Sequence, residues 1–241
     1  YNYMSVYYYD ETVSGTADQG YVGAVSIDDT LFPGKGFMAY IDATSLMEIV
    51  DFSGTPTIGT VSLPLTYTLT DTLSDGWNLV GNPYPSAINW DDASITKTNL
   101  DNAIYVWNPA LGVYTSYIDG IGTNGGSATV ASCQSFYVRT NNSAPELILT
   151  ENCKTNAPAV FLKNHETTNF LSIKVSNSIS TDETILKANE FATGSFDGTY
   201  DALKMFSYTP GAPSICTVLP NAAEEYYSIN QLPLQEVEIP L

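Results

Sequence analysis

Three segments near the start of the chain return, altered, about 99 residues later. SVYYYDE (5–11) matches AIYVWNP (103–109) at a shift of 98, with Tyr9-Asp10 over Trp107-Asn108. FPGKGFMAYI (32–41) matches VASCQSFYVR (130–139) at a shift of 99, with Phe37 over Phe136, and MEIVDF (47–52) matches ELILTE (146–151) at the same shift. Agreement at nearly one spacing points to two copies of a unit of about 99 residues, and self-similarity of that kind restricts a chain to stacked or tandem modules. The second copy starts at GWNLVGNPYPSAINW (76–90), whose counterpart would precede Tyr1. We therefore expect the chain to begin inside a unit. It also stops on strand-like EVEIPL (236–241), so we expect a cut there too.

The modules should be built from strands. Tyr, Thr, Ser, Asn, Val and Ile recur throughout and only 14% of residues are charged, which suits pleated half-buried surfaces and turns better than amphipathic helices. Near the end of each copy two runs flank a turn-rich stretch: 36–41 and 46–52 around Asp42-Ala43-Thr44-Ser45, and 135–140 and 146–151 around 141–145. These read as hairpins. A hairpin centred on Ser143 sets Cys133 opposite Cys153, and the equivalent positions about Thr44 are Gly34 and Gly54. A Cys133–Cys153 disulfide and a pair of free buried thiols both fit that placement; a bridge requires an oxidising compartment. Cys216 reads as a small buried apolar residue.

From about Thr155 the repeat ends. FLSIKV (170–175) alternates apolar and polar residues, 183–208 mixes a strand with Gly-rich turns, and YYSINQLP (226–233) reads as a further strand. The expected organisation is thus all-β, with tandem β-sandwich-like modules: the C-terminal part of a first repeat over 1–70, a second repeat over 71–154, and a third module over 155–241.

Charge narrows the function. With 26 acidic residues against 8 basic, the net charge is −18, which repels phosphate backbones and anionic membranes, so nucleic acid is excluded as a partner. No apolar run reaches the roughly 18 residues of a spanning helix, and no direct membrane insertion is expected. GIGTNG (120–125) matches the dinucleotide pattern letter for letter, but a strand-like segment follows it where a helix is required, so it reads as a Gly-rich hairpin connection. There is no GxSxG, and the one histidine, His165, lies in polar KNHETTN. The acid pairs Asp28-Asp29, Asp91-Asp92 and Glu224-Glu225 sit among turn residues, which fits solvation better than the two-carboxylate chemistry of a glycosidase. We expect no catalytic residue, no cofactor-binding residue and no metal centre; Ca²⁺ at Asp10, Glu11, Asp119 or Asp28-Asp29 would lack the regular spacing of a calcium loop. Tyr7, Tyr8 and Tyr9 form an aromatic run of the type that stacks on sugars, although alternation places Tyr8 on the opposite face from the other two.

The phrases GWNLVGNPYPSAINW, AIYVWNP, GTNGGSATVASCQSFYV, LILTE, DETILKANEFATGSFDGTYDALKMFS and YYSINQLP, in that order, resemble the β-rich region upstream of the C-terminal sorting domain in type IX secretion cargo of Bacteroidota. The resemblance covers most of 76–241 and is weaker before it. It implies export through the outer-membrane type IX translocon, with the translocon and its associated surface subunits as partners, and an extracellular or cell-surface location. Such regions occur in adhesins and behind the catalytic domains of secreted enzymes. A non-catalytic adhesive, structural or display role follows, with an accessory module of a secreted hydrolase, able to bind surface glycans, as the alternative. Asp29-Thr30-Leu31 and Asp71-Thr72-Leu73 resemble the Asp-Thr-apolar sequon of Bacteroidota O-glycosylation, which implies glycans on Thr30 and Thr72. Within this reading GWNLVGNPYPSAINW is scaffold, a turn after the strand WNLV, with Trp77 and Trp90 filling the core on either side.

Overall fold

The computed structural model describes residues 5–24, 32–40, 54–69, 75–157, 169–219 and 225–234. Its strands, in chain order, are β1 Val6–Tyr9, β2 Tyr21–Gly23, β3 Met38–Ala39, β4 Val61–Ser62, β5 Trp77–Gly81, β6 Ala87–Asn89, β7 Thr96–Thr98, β8 Ile104–Asn108, β9 Val113–Ile118, β10 Ile121–Thr123, β11 Thr129–Val130, β12 Ser135–Arg139, β13 Glu146–Leu149, β14 Lys154–Thr155, β15 Phe170–Ser176, β16 Thr181–Ala188, β17 Ala202–Leu203, β18 Thr217–Val218 and β19 Tyr226–Leu232. The only helical turns among the described residues are 3-10 turns at Ala17–Gly20 and Glu151–Cys153, so the protein is all-β as its composition requires. No helix among them is long and apolar enough to cross a membrane.

Contacts divide the chain into two units, Tyr1–Leu100 with Thr129–Ala159, and Asp101–Ala128 with Val160–Leu241. The three consecutive segments read from the sequence do not coincide with them, because 101–128 leaves the expected second repeat and joins the C-terminal residues. Of the three matches behind the repeat, β1 and β8 are strands in both members, as are β3 and β12. MEIVDF lies outside the described residues.

The first unit is organised around β5 and β12, antiparallel from Ser135↔Gly81 to Arg139↔Trp77. Every residue of β5 is buried, so WNLVG is covered on both faces and shows no amphipathic alternation. Smaller antiparallel sheets, β2-β1-β3, β11-β6-β14 and β4-β13-β7, complete the unit. Val80, Ile88, Trp90, Phe136 and Leu147 are fully enclosed, and the Trp90 and Phe136 rings meet edge to face at 5.8 Å. Trp77 is also buried, packed edge to face on Tyr137. Chain 34–36 runs against β5, with Gly36 N–H donating to Leu79 O and Gly81 N–H to Gly34 O. A Cβ on Gly36 would stand 2.7 Å from the Val80 carbonyl oxygen, so only glycine permits this approach.

The hairpin expected between 135–140 and 146–151 does not form: β12 pairs with β5, while β13 pairs with β4 and β7. The reason is in the connection. Asn141 N–H donates to Asn99 O, and the Asn99 amide donates to the carbonyls of Ser143 and Ala144, so 141–145 is fastened to β7's end and sends the next strand to another sheet. In the first copy β3 pairs with β1, and the proposed partner strand, 46–52, lies outside the described residues.

The second unit holds the meander β8-β9-β10 and a mixed sheet ordered β15-β16-β19-β17, with β18 also on β19. β16 and β19 are parallel, from Ile185↔Ile229 to Ala188↔Leu232. Asp119-Gly120 turns β9 into β10 in two residues, both with positive φ (48° and 77°), the geometry of a type I′ hairpin. GIGTNG is therefore in part this turn and in part strand β10.

Candidate functional site

The turn that follows β5 is the most constrained segment of the first unit. The Asn82 amide donates to the carbonyls of Ser86 (2.8 Å), Ala131 (3.0 Å) and Val130 (3.3 Å), while its Oδ1 accepts from Tyr84 N–H (3.0 Å). Tyr84 is buried and donates its hydroxyl to Gly59 O (2.7 Å) and Leu149 O (3.0 Å). Burial, with Cys153 and Glu151 nearby, pushes the phenol up to about 12, so it remains a donor at any physiological pH. Pro83 and Pro85 have no N–H to leave unsatisfied. Asn82 and Tyr84 thus tie the turn down from its buried side, while Pro85 is exposed and the outer surface of GNPYPS forms one wall of an open cleft of about 610 Å³.

Pro33, Lys35, Phe37, Pro83 and Pro85 contribute to that cleft, with Cys133 and Ser135 at its edge. Among the described residues Lys35 is the one charged lining residue, and its ammonium sits 3.8 Å over the Tyr8 ring. Cys133 is exposed, in the left-handed region (φ 59°), and the described lining places neither histidine nor carboxylate in the cleft with it. This surface can make apolar contact; its described residues form no acid, base and nucleophile set.

Cys133 and Cys153 are not joined by the disulfide that a hairpin would allow: Cys133, Cys153 and Cys216 are all free. The proposed bridge depended on a β12–β13 hairpin; without one, Cys133 faces solvent and Cys153 is buried, its thiol donating to Thr150 O at 3.0 Å. Burial pushes the Cys153 thiol up, toward its inert form.

The second unit carries a concentration of buried charge that the sequence did not announce. Lys204 Nζ lies 2.5 and 2.6 Å from the two Asp182 oxygens, with both side chains almost wholly buried. Asp182 also accepts from the Asn124 amide (2.9 Å) and from Ile215 N–H (2.8 Å). Glu183 accepts from Asn124 N–H (2.9 Å) and Ser172 Oγ (2.5 Å). Asn124, from GIGTNG, thereby joins two adjacent carboxylates of β16. Asp201 accepts from the backbone N–H groups of Gln231 and Asp197, both at 2.8 Å; desolvation outweighs these donors and raises its carboxyl to about 7. In the first unit, burial lowers the Lys97 ammonium to about 8 while it donates to Trp90 O and stacks on the Trp90 ring.

A shallower concavity of about 520 Å³ lies in the second unit, lined by Asp119, Lys187, Asn189, Glu190, Phe191, Tyr200 and Leu234. None of these except Asp119 stood out in the sequence. The signal available was weak: an aromatic, Phe191, beside Glu190 in a turn-rich stretch.

Other sequence candidates are used locally. Asp92 caps a turn, accepting from Ser94 N–H and Oγ, bonds that lower its carboxyl. Asp10 accepts from Thr12 in the same manner. Glu11 is buried and accepts from Thr68 Oγ1 and Gly76 N–H. Tyr9 is enclosed by the rings of Tyr21 and Tyr137, so Tyr7–Tyr9 is not an open aromatic platform. Thr30, Thr72, Asp28-Asp29, Glu224 and His165 lie outside the described residues. Among the described residues no three His, Cys, Asp or Glu side chains converge to hold a metal ion.

Residues 2–212 match the family model of DUF8693, described as a domain of unknown function. The chain belongs to this family. No curated protein and no solved structure matches it. The DUF8693 match runs through the turn after β5 and the β16 carboxylates, and ends before β18 and β19.

Proposed function

We propose that this DUF8693 chain is a non-catalytic structural, adhesive or display region of a cell-surface protein exported by the type IX secretion system. The observation that carries the reading is how its buried carboxylates are used. Asp182, Glu183, Asp201 and Glu11 each accept hydrogen bonds that tie a loop or neighbouring strand in place. Catalytic carboxylates face a substrate; these are engaged by backbone N–H groups and by side chains of the same chain, which suits a part that bears load or holds spacing. The sequence phrases from GWNLVGNPYPSAINW to YYSINQLP support the export route, and a net charge of −18 suits solubility in an extracellular medium. Its partners in this reading are the outer-membrane translocon and associated surface subunits, with glycans on Thr30 and Thr72.

The alternative, an accessory module of a secreted hydrolase, is favoured by one feature, the second unit's concavity with its exposed aromatic and polar lining. The deciding experiment is protease shaving of intact host cells with and without a working translocon. Peptides from 76–241 released only when the translocon works are the expected result; retention inside the cell in both strains would overturn the export reading.

A further inference from the structure

We infer that the concavity of the second unit is a binding subsite for a neutral oligosaccharide, an inference that rests on the adhesive reading above. Its floor is a row of polar groups fixed from below. Asp119 Oδ2 accepts from Lys187 Nζ and from Gln231 Nε2, both at 3.3 Å, and Gln231 Oε1 accepts from the Asn189 amide at 2.9 Å. Gln231 is fully buried in β19, so the row is held by a side chain that cannot swing away. Asp119 is itself set by the two-residue turn between β9 and β10. The two contacts at 3.3 Å are at the long end of hydrogen bonding, so Asp119 and Lys187 keep acceptor and donor capacity that ligand hydroxyls can share at normal distance.

Beside this row stands an apolar surface. Phe191 is 69% exposed and Leu234 71% exposed, large apolar groups left in water next to donors and acceptors. Phe191 is not a loose side chain on a loose loop: its N–H donates to Asn189 Oδ1, and Ala192 N–H donates to Asn189 O, which fixes the turn that carries it. A sugar ring has the complementary surface, an apolar C–H face that lies on an aromatic ring and an edge of hydroxyls that both donate and accept. Carboxylate and amide groups in one row meet that edge bidentately.

Charge selects among ligands. Lys187 is already compensated by Asp119, Glu190 adds a further negative charge at the rim, and the whole chain carries −18, so anionic glycans are disfavoured. A wholly apolar ligand would strip water from Asp119 and Lys187 with nothing to replace it. A volume of about 520 Å³ falls in the range of small-molecule sites.

The test is calorimetric titration of the 241-residue chain with neutral hexasaccharides of the malto, cello, manno and xylo series, alongside oligogalacturonate and a capped apolar peptide. Binding of at least one neutral series with a Kd of roughly 10 µM to 1 mM is expected. Phe191→Ala should weaken it at least about tenfold and Asp119→Asn several-fold, while Ile179→Ala, an exposed apolar residue in another turn, leaves it unchanged. All three positions are at the surface, and matching unfolding midpoints establish that the variants fold. The proposal fails if no neutral series binds at about 10 mM, if neither Phe191→Ala nor Asp119→Asn weakens binding, or if oligogalacturonate or the peptide binds more tightly. Cell shaving reads location and titration reads affinity, so failure of the sugar site is told apart from failure of the reading on which it rests.

Discussion

The two units bury different chemistry in the same kind of structure. In the first, the strands β5 and β12 bring Leu79, Val80, Phe136 and Val138 together with Trp90, Ile88 and Leu149, a core of apolar and aromatic groups whose rings meet edge to face. In the second, the central parallel strands β16 and β19 bury Asp182, Glu183, Thr184, Ser228, Asn230 and Gln231 alongside Ile185, Tyr227 and Ile229. An apolar core is tolerant: contacts are non-directional, and volume matters most. A buried polar core is demanding, since each group needs its partner and removing one strands the other. The first unit should therefore respond to mutation by graded loss, and the second by large losses that a second mutation partly reverses.

The largest expected effect tests that contrast at the ion pair. Lys204→Met alone leaves the Asp182 carboxylate buried without its cation and should cost about 3–5 kcal/mol, whereas Lys204→Met with Asp182→Leu should recover part of it, the remainder reflecting the Asn124 amide and Ile215 N–H that Asp182→Leu strands. Chemical denaturation of the single and double variants measures the recovery. A double variant as unstable as the single would mean that packing, and not charge compensation, governs this core.

Next in size is a pH effect confined to the second unit. The Asp201 carboxyl is raised by burial from 3.8 to about 7, so the folded state keeps its proton between about pH 4 and 7 while the unfolded chain has released it. The stability from this group is fully present below about pH 4 and is lost as pH rises toward 7, with a ceiling of roughly 4 kcal/mol. Unfolding midpoints measured from pH 4 to 8 should show this downward slope, and Asp201→Asn should flatten it. Other carboxylates slope the opposite way, so the informative quantity is the difference between the two proteins.

The smallest effect belongs to the first unit. Tyr84→Phe removes a hydroxyl that donates to Gly59 O and Leu149 O, and leaves the ring in its place. A loss of about 1–2 kcal/mol is expected by denaturation. A loss as large as that of Lys204→Met would erase the contrast between the units.

Much of the fold was legible in short stretches. FLSIKV and YYSINQLP read as strands from their sequence and are β15 and β19; WNLV and the run from Ser135 are β5 and β12. Trp77 and Trp90, expected in the core, are buried. The candidate site was much less legible. Nothing in DETILK or YSINQ marks their polar residues for burial, yet Asp182, Thr184, Ser228 and Asn230 are buried because strands in the middle of a sheet are covered on both faces. The hairpin at 141–145 failed for a related reason: turn chemistry shows that the chain bends, and not which strand it meets next. Asn99, more than forty residues upstream of Ser143, decided that.

What the sequence determined alone is local. Its β-branched and aromatic runs set strands, and its Gly, Asn and Pro clusters set turns such as Asp119-Gly120 and GNPYPS. These follow from backbone sterics, which neighbouring residues settle between themselves. Strand partners, the free cysteines, the Asp182–Lys204 pair and the row from Lys187 to Asn189 were decided only in three dimensions. Each depends on groups far apart in the chain, and local pattern carries no information about which distant residues will be excluded from water together.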